Sequence, residues 1–228
     1  LNRTLTIDLA HPEISLQDPE PFYNTTSQDI NFTFRATDNM AAVLSCSLYI
    51  NGSFSAVNSS VINGSLTTFE KTGLSEGLSQ NWTINCTDYA GNSYQAPERH
   101  FSIDATPPIA SFGNMPIDNY NYSSRSLLFE LYCTDNIAPH TLELWADWTG
   151  SWHANQTNSS PVNNSVWSVL VEGIPEGTWS WGAYCNDTLG NSDWTDVNRT
   201  LTIDITKPQI CLLYTSPSPR DRTRSRMP

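Results

Sequence analysis

Aspartates recur at equivalent turn positions along the 228-residue chain, and they are the side chains best suited to chemistry. Calcium takes about six to eight oxygen ligands from carboxylates, carbonyls and water. Asp also caps turns through local hydrogen bonds, which is an alternative reason for its recurrence. The sequence therefore allows two interpretations. The aspartates are either turn caps or ligands of a calcium site, at which acids that end one repeating unit lie near the start of the next unit. The recurring residues are Asp8, Asp38, Asp88, Asp104, Asp135, Asp187 and Asp204. No other cofactor is indicated.

Catalytic motifs are missing around the histidines. These residues stand among turns and strand ends, without an HExxH, CxxC or GxSxG pattern nearby; they are His11, His100, His140 and His153. Glu143 and Asp147 have the chemistry for acid and base roles, but nothing in the sequence places them in a pocket. We therefore expect that the protein is not an enzyme.

Tryptophans are concentrated in the second half of the chain, and three of them are candidate ligand contacts. Trp145, Trp148 and Trp152 lie on or after the outer face of one predicted strand, next to glycosylation sequons at Asn155 and Asn158. Exposed tryptophans stack on sugar rings or anchor protein partners. The alternative is that these rings cover a neighbouring strand or loop.

Four cysteines are placed as two pairs. Cys46 and Cys86 lie in the first half of the chain, and Cys133 and Cys185 lie in the second. Two cysteines separated by about half a domain suit an intradomain disulfide, whereas four reduced thiols would suit a cytosolic protein. Disulfides persist in oxidising compartments, and a bond that closes a loop of this size stabilises a domain by about 3–4 kcal/mol.

Sequons of the form N-x-S/T are a second indication of an extracellular protein. Between Asn81 and Cys86, alternation places Trp82 and Ile84 on the face of the cysteine and the sequon residues Asn81 and Asn85 on the opposite face. Glycans there would not disturb a core, although a sequon permits modification without requiring it. The candidate acceptors are Asn24, Asn31, Asn51, Asn58, Asn63, Asn81, Asn85, Asn121, Asn155, Asn158, Asn163, Asn186 and Asn198.

The composition is acidic and typical of an all-β protein. Thr, Ser, Asn, Tyr and Trp are abundant, which suits pleated strands and polar turns, and no stretch has a sustained helical period. The formal net charge is −12, and Lys71 and Lys207 are the only lysines. Because nucleic-acid binding needs a basic face, we expect no nucleic-acid partner. No apolar run reaches the length of a membrane span.

A short phrase returns three times with a period of about one hundred residues, which indicates tandem β-domains. Each copy combines a strand-like alternation, a terminal Asp and a proline four residues later: Arg3–Asp8, Arg99–Asp104 and Arg199–Asp204. We expect the chain to be a segment of a longer array. The predicted boundaries are 1–10 for the last strand of a preceding repeat, 11–107 for a first complete repeat (unit one), 108–207 for a second (unit two), and 208–210 for the start of a further repeat.

Residues 211–228 resemble the translation of a sequencing adapter. The transposon end used in library preparation encodes the stretch from Cys211 to Asp221, and another piece encodes Ser225 to Pro228. The alternative is a natural basic, proline-rich tail. Without this segment, the formal charge becomes −15 and the odd fifth cysteine disappears, so we exclude it from the interpretation of the fold.

The repeats predict a two-sheet sandwich. Each unit divides into about seven short strands with turn signals about every ten residues, as in sandwiches of the immunoglobulin or fibronectin type. Trp82–Cys86, the hairpin Asp88–Asn92 and the closing stretch to Asp104 match a strand W-x-V/I-x-C-x-D, an x-G-N hairpin and a terminal I-D-x-x-x-P. Over residues 1–210 the chain thereby resembles the immunoglobulin-like repeats of archaeal and bacterial cell-surface proteins.

This resemblance implies an all-β fold of tandem immunoglobulin-like sandwiches, and a role as a non-enzymatic stalk, spacer or adhesion segment of an extracellular surface protein. The implied partners are neighbouring repeats of the same chain, with surface glycans or proteins as further partners. Two alternatives stay open. One is a carbohydrate- or protein-binding module, and the other is an accessory segment of a secreted hydrolase whose catalytic domain is absent from this chain.

The two units differ in the placement of their cysteines. Aligning them puts Cys133 on the second strand and Cys185 on the sixth, so that this bond would cross between sheets. Cys46 lies instead on the third strand, which neighbours the sixth strand, with Cys86, in the same sheet. We therefore expect both bonds to fix the sixth strand but to brace the sandwich differently.

Overall fold

The computed structural model describes residues 7–210, which form two β-sandwiches in succession and contain no helix. Residues 1–6, which hold most of the predicted strand of a preceding repeat, and residues 211–228, assigned above to an adapter, lie outside the described part of the chain. Within residues 7–210, no helix is long and apolar enough to cross a membrane.

Unit one is built from nine strands, which are β1 (Glu13–Asp18), β2 (Tyr23–Thr25), β3 (Ile30–Thr37), β4 (Val43–Ile50), β5 (Ser53–Ile62), β6 (Leu66–Lys71), β7 (Gly77–Thr87), β8 (Ser93–Gln95) and β9 (Arg99–Ile103). The smaller sheet has the order β1-β3-β6. The larger sheet has the order β2-β9-β7-β4-β5, and β8 also pairs with β7.

Unit two repeats this arrangement strand for strand, with β10 (Ile109–Phe112), β11 (Tyr120–Tyr122), β12 (Leu127–Thr134), β13 (Pro139–Ala146), β14 (His153–Asn158), β15 (Trp167–Val171), β16 (Gly177–Asp187), β17 (Ser192–Trp194) and β18 (Arg199–Ile203). Its smaller sheet has the order β10-β12-β15, and its larger sheet has the order β11-β18-β16-β13-β14 with β17 paired to β16. The all-β sandwich predicted from the sequence is confirmed.

The described residues form nine strands in each unit, rather than about seven, because two further strands of three residues each join the larger sheet: β2 and β8 in unit one, and β11 and β17 in unit two. In unit one, Pro19 follows β1 and Pro97 precedes β9, and proline supplies no N–H to a ladder. After Pro19 the chain crosses to the larger sheet, where β2 pairs in parallel with β9. Unit two has the same crossing, and β11 pairs in parallel with β18.

The arginine that opens each closing strand holds this crossing in place. The guanidinium of Arg99 donates hydrogen bonds to the carbonyls of Leu16 at 2.7 Å and Gln17 at 2.8 Å. In unit two, Arg199 donates to the carbonyl of Gly113 at 3.1 Å and lies 4.3 Å from the ring centroid of Phe112. The repeated Arg of the sequence phrase therefore binds carbonyls at the point where the chain changes sheets.

Each sandwich encloses its own aromatic core. In unit one, Phe32 contacts Trp82 and Phe101, with ring centroids 5.1 and 5.7 Å apart. In unit two, Phe129 contacts Trp181 with a centroid distance of 5.0 Å. These rings are buried, and each set belongs to a separate hydrophobic cluster. Burial of apolar area in two independent cores is the main term that stabilises the two sandwiches.

Two disulfides join the four cysteines in different ways. Cys46 and Cys86 are directly opposite each other on β4 and β7, within the larger sheet of unit one. Cys133 lies on β12 in the smaller sheet of unit two, and it is bonded to Cys185 on β16 in the larger sheet, with the two Cα atoms 6.0 Å apart. One bond therefore lies within a sheet, whereas the other crosses the core.

The strand that carries Cys86 is covered on both faces. Trp82, Ile84 and Cys86 point into the core, as alternation predicts. Thr83 on the opposite face is only 2% exposed, and its hydroxyl donates to the carbonyl of Ala96 at 2.6 Å. The chain after β8 folds over this part of the sheet, so the outer face is less open than alternation alone suggests.

Candidate metal centres and aromatic face

Three aspartates converge where unit one joins unit two. Asp104 follows the last strand of unit one, Asp135 follows β12, and Asp187 ends β16. Each offers a carboxylate oxygen, and these oxygens all lie within 4.8 Å of one another. Three like charges at this distance repel each other by about 1 kcal/mol per pair even at the dielectric constant of water.

The carboxylate of Asp104 is the least solvated group of this cluster. Its residue has 0% exposure, and neither carboxylate oxygen accepts a hydrogen bond of normal geometry within residues 7–210. Burial and repulsion from Asp135 and Asp187 raise the pKa of Asp104 to about 6, and the backbone N–H of Thr106 offsets only part of this effect.

Asp135 uses one carboxylate oxygen to cap a turn and leaves the other without a partner among the described residues. Oδ1 of Asp135 accepts backbone N–H bonds from Ile137 at 2.8 Å and Ala138 at 2.6 Å. Its Oδ2 is buried and has no hydrogen-bond partner among the described residues. Turn capping, the alternative considered from the sequence, accounts for the first oxygen but leaves the second unexplained.

A matching cluster stands at the beginning of unit one. Asp8, Asp38 and Asp88 also bring carboxylate oxygens to within 4.8 Å of one another. Although burial acts in the opposite direction, hydrogen bonds from the side chain and backbone of Asn92 hold the pKa of Asp88 below its ordinary value. Asp204 follows β18 and belongs to neither cluster within residues 7–210.

The hairpin asparagine binds the preceding linker at both clusters. Asn191 donates from Nδ2 to Oδ2 of Asp187 at 2.6 Å and to the carbonyl of Asp104 at 2.8 Å. Asn92 donates in the same way to Asp88 at 2.7 Å and to the carbonyl of Asp8 at 3.3 Å. The x-G-N hairpin of the sequence motif therefore holds each linker aspartate against the unit that follows it.

A repeated glutamate also binds the linker, and the sequence analysis did not identify it. Glu76 accepts hydrogen bonds from the hydroxyl of Thr106 at 2.9 Å and from the side-chain amide of Asn136 in unit two. Glu176 accepts from the N–H of Ile205 and the hydroxyl of Thr206, and these bonds lower its pKa. The recurrence of Glu-Gly at the start of β7 and β16 was the available signal.

An aromatic cluster lies on the outer face of the larger sheet of unit two. The ring of Trp145 is 6.4 Å from that of Trp152 and 5.0 Å from that of Trp194, and Trp194 is 4.9 Å from Tyr184. Trp194 is 40% exposed, and Trp145 donates from Nε1 to Glu143 at 2.8 Å. We call Trp145, Trp152, Tyr184 and Trp194 the aromatic face.

The prediction that Trp148 is exposed on this face is wrong. Trp148 is only 5% exposed, and its ring lies 5.6 Å from that of Phe129 in the core. The reason is the strand period, because Leu144, Ala146 and Trp148 continue one inward-facing series. Of the three tryptophans chosen from the sequence, Trp145 and Trp152 lie on the outer face.

All thirteen sequon asparagines are exposed or half-buried. Three of them already use the nitrogen to which a glycan would be attached, and one of these is Asn51, which donates from Nδ2 to Oε1 of Gln80 at 3.0 Å. Asn63 donates from Nδ2 to the carbonyls of Asp38 at 2.6 Å and Ala41 at 2.8 Å, and Asn163 donates to the carbonyl of Asp135 at 2.7 Å. These two asparagines hold the loops that carry the junction aspartates.

Four of the residues with possible acid or base chemistry have structural contacts. His11 stacks on Tyr94, with ring centroids 5.0 Å apart, and His100 stacks on Phe22. Asp147 accepts the backbone N–H of Ser180 at 2.8 Å. Glu143 accepts the indole N–H described above, so neither member of the acid pair considered from the sequence is free of contacts.

No known family model matches the chain, and no curated protein matches it. Among solved structures, it is similar to the fibronectin(III)-like modules of Clostridium thermocellum CbhA, with 12% identity and a TM-score of 0.38 over 84% of this chain and 93% of that one. It is also similar to a structure from a 1.5-MDa bacterial ice-binding adhesin, with 15% identity and a TM-score of 0.41 over 86% of this chain and 66% of the other.

A third similar structure is a tetra-tandem repeat in the extending region of a large adhesion protein. Identity is 16%, the TM-score is 0.41, and the match covers 86% of this chain and 49% of that one. At these values the comparisons add no argument about function. The pairing of the strands by itself defines the chain as a tandem of β-sandwich domains.

Proposed function

We propose that the chain is a non-enzymatic, load-bearing spacer or adhesion segment of an extracellular surface protein. The observation that carries this proposal is the parallel pairing of the first and last parts of each unit. In unit one, Tyr23, Asn24 and Thr25 pair with Phe101, Ser102 and Ile103. In unit two, Tyr120, Asn121 and Tyr122 pair with Leu201, Thr202 and Ile203.

Parallel terminal strands resist tension because of their direction. When the two ends of a unit are pulled apart, the strands slide along each other, and all the hydrogen bonds of the pair are loaded at the same time. An antiparallel hairpin pulled at its open end instead breaks one bond after another. Two successive units with this arrangement suit a segment that transmits force between the parts of a longer protein.

The extracellular location is supported by two further features. Both units contain a disulfide, and disulfides persist in oxidising compartments. Sequon asparagines lie outside both cores, where a glycan can be attached without unfolding the sandwich. The proposed partners are neighbouring repeats of the same chain, since each linker is bound by the unit that follows.

Single-molecule force spectroscopy on the whole chain tests the mechanical role. We expect two discrete unfolding events, each shortened by the residues that its disulfide encloses. Gradual extension without discrete events would contradict the proposal. Attachment of the chain through its two ends is essential, because only this direction loads the parallel pairs.

Proline variants separate the terminal pair from general stability. The N–H of Tyr23 donates to the carbonyl of Glu20 at 3.2 Å. That of Phe22 donates instead to the carbonyl of His100. Successive strand N–H groups point to opposite sides, so the N–H of Asn24 also faces β9, and Asn24→Pro removes this donor.

Asn24→Pro should lower the unfolding force of unit one and leave that of unit two unchanged, and Tyr23→Pro, which removes only the bond to Glu20, should lower it less. Thr67→Pro and Thr68→Pro in β6 are the matched controls, since they disturb a strand pair of the smaller sheet. An equal fall in force for both sets would reject the terminal pair as the mechanical element.

A second candidate function, carbohydrate binding, is favoured by the aromatic face. Indole rings present flat apolar surfaces with a polar N–H, which suit the stacking of sugar rings. A glycan array probed with the whole chain tests this function. Trp152→Ala and Trp194→Ala should abolish binding, while Phe54→Ala, at an exposed ring on the corresponding sheet of unit one, should retain it. Absence of binding by the unaltered chain would remove this candidate.

A further inference from the structure

Within residues 7–210, no Lys, Arg or His side chain forms an ion pair with the aspartate cluster between the units. Asp104, Asp135 and Asp187 are 0%, 7% and 1% exposed. Within residues 7–210 the only ion pair joins Arg99 to Glu20, and neither belongs to the cluster. Buried carboxylates without a positive partner are strongly unfavourable. The fold therefore brings together negative charge that it does not itself neutralise.

The carboxylate oxygens without a hydrogen-bond partner show where a positive charge could contact the cluster. Asp104 has two such oxygens and Asp135 has one, and all are buried. The hydrogen bonds that hold the cluster, from the turns after Asp135 and Asp187, leave these atoms unused. Because the carboxylates face one another within 4.8 Å, a single ion between them can contact all three residues.

We infer that each junction binds a divalent cation of the calcium type through these carboxylates. The donor set contains only carboxylate oxygens, without His or Cys, so it suits a hard cation and disfavours zinc. Water and backbone carbonyls would complete the coordination shell. Asp8, Asp38 and Asp88 form the equivalent site before unit one. The inference deepens the proposed spacer function but depends only on the geometry of the clusters.

The site between the units is divided between them. Asp104 belongs to the end of unit one, whereas Asp135 and Asp187 belong to unit two. A bound cation would therefore link the two sandwiches directly, and it would be held only when both are folded. The consequence is a joint whose stiffness depends on the concentration of the cation.

Calorimetric titration of CaCl2 into the chelator-treated 228-residue chain tests the inference. Two binding events per chain are expected, one for each cluster. MgCl2 in a parallel titration should bind more weakly, because magnesium needs a smaller and more regular octahedral shell. The absence of any binding at millimolar CaCl2 would overturn the inference, whatever the outcome of the force measurements.

Isosteric variants assign each event to a cluster. Asp104→Asn and Asp135→Asn should each remove one of the two events, and Asp38→Asn should remove the other. Asp135→Asn keeps the turn, because its remaining oxygen can still accept the N–H bonds of Ile137 and Ala138. Asp193→Asn, at an exposed acid on β17, is the matched control and should retain both events. If Asp193→Asn weakened calcium binding as much as the cluster variants do, the effect would be due to surface charge alone, and the inference would be overturned.

Thermal melting gives a readout that a purely structural role would not produce. Asp104→Asn removes a buried charge and, within residues 7–210, no hydrogen bond of normal geometry, so in chelator it should melt a few degrees above the unaltered chain. In excess CaCl2 the order should reverse, because only the unaltered chain gains the bound ion. A variant that melts below the unaltered chain in both conditions would contradict a cation site.

Discussion

The two units share one fold but differ in how they are braced and in what they present to solvent. Unit one bonds two neighbouring strands of a single sheet, whereas unit two bonds one sheet to the other. The junction residues do not vary in this way, since both units retain three converging aspartates and the hairpin asparagine. The junction residues, which contact a neighbouring unit, are therefore the same in both units. The disulfides, which act within one unit, differ.

The outer faces of the larger sheets show the same divergence. Asn85, a sequon residue, is paired with Gln95 in unit one. At the corresponding register in unit two, Tyr184 is paired with Trp194. One face therefore carries a sequon, and the other carries the aromatic face, in which Trp194 is exposed. The same strand pair can carry either chemistry because its inward-facing partners alone support the core.

Removal of each disulfide should have the largest effect on stability, and it tests whether the two units are braced differently. The bonds close loops with sequence separations of 40 and 52 residues. By chain entropy, each double Cys→Ala variant should lose about 4 kcal/mol of unfolding free energy, with little difference between the units. Urea denaturation followed by tryptophan fluorescence measures both losses. A much larger loss in unit two would show that the bond between sheets also restrains the folded state, and a loss well below this value in both would reject the entropic account.

Trp148→Ala tests the division between core and aromatic face in unit two. Deleting a buried indole should cost about 3 kcal/mol or more, because it leaves a cavity against Phe129. Trp152→Ala, at a half-buried outer position, should cost about 1 kcal/mol or less. Chemical denaturation measures both variants. Equal costs would place the two rings in the same environment and contradict the structure.

The pH dependence of stability should report the buried charge at the junction. Because the folded state raises the pKa of Asp104 to about 6, it binds a proton more tightly than the unfolded chain does. In chelator, stability should therefore rise as the pH falls from about 7 to 5, and it should be lost as the pH rises through 6. The charged groups that face Asp104 are Asp135, Asp187 and Glu76. Asp104→Asn should flatten this profile in thermal melts, and an unchanged profile would assign it to other groups.

Glycan occupancy is expected to have the smallest effect on stability and to divide the sequons into two classes. Asn63 and Asn163 use Nδ2 to hold the aspartate loops, so they should stay unmodified in both units. Asn24, Asn31 and Asn121 are exposed and should be accessible to the transferase. Peptide mass spectrometry of the chain secreted from a glycosylating host measures each position. Full occupancy at Asn63 and Asn163 would show that the loop contacts are dispensable.

Local patterns predicted much of the fold. Alternation located the core strands and their inward residues, and the repeated phrase located the closing strands, because both signals are contained in short stretches. Their limits are equally clear at Trp148, which was assigned to the outer face although its position continues the inward series from Leu144. The short strand β2 after Pro19 also escaped prediction, since it depends on the partner strand to which the chain crosses.

The candidate sites depend on contacts between distant segments. The recurring aspartates were visible in the sequence, but their convergence requires the loop after β12, the end of β16 and the linker to meet in space. Tyr184 and Trp194 were not chosen with Trp145 because their proximity follows from strand register. The role of Glu76 was missed for the same reason, since its partners lie in the linker and in the next unit.

The fixed spacing of the junction residues also has a meaning for the history of such an array. Asp8 and Asp104 take equivalent places before successive units, and each is held by the asparagine of the hairpin that follows. A unit that preserves these positions keeps the contacts that hold the linker aspartate before it. Recombination that added or deleted a whole unit would therefore leave these contacts in place at the joints that remain.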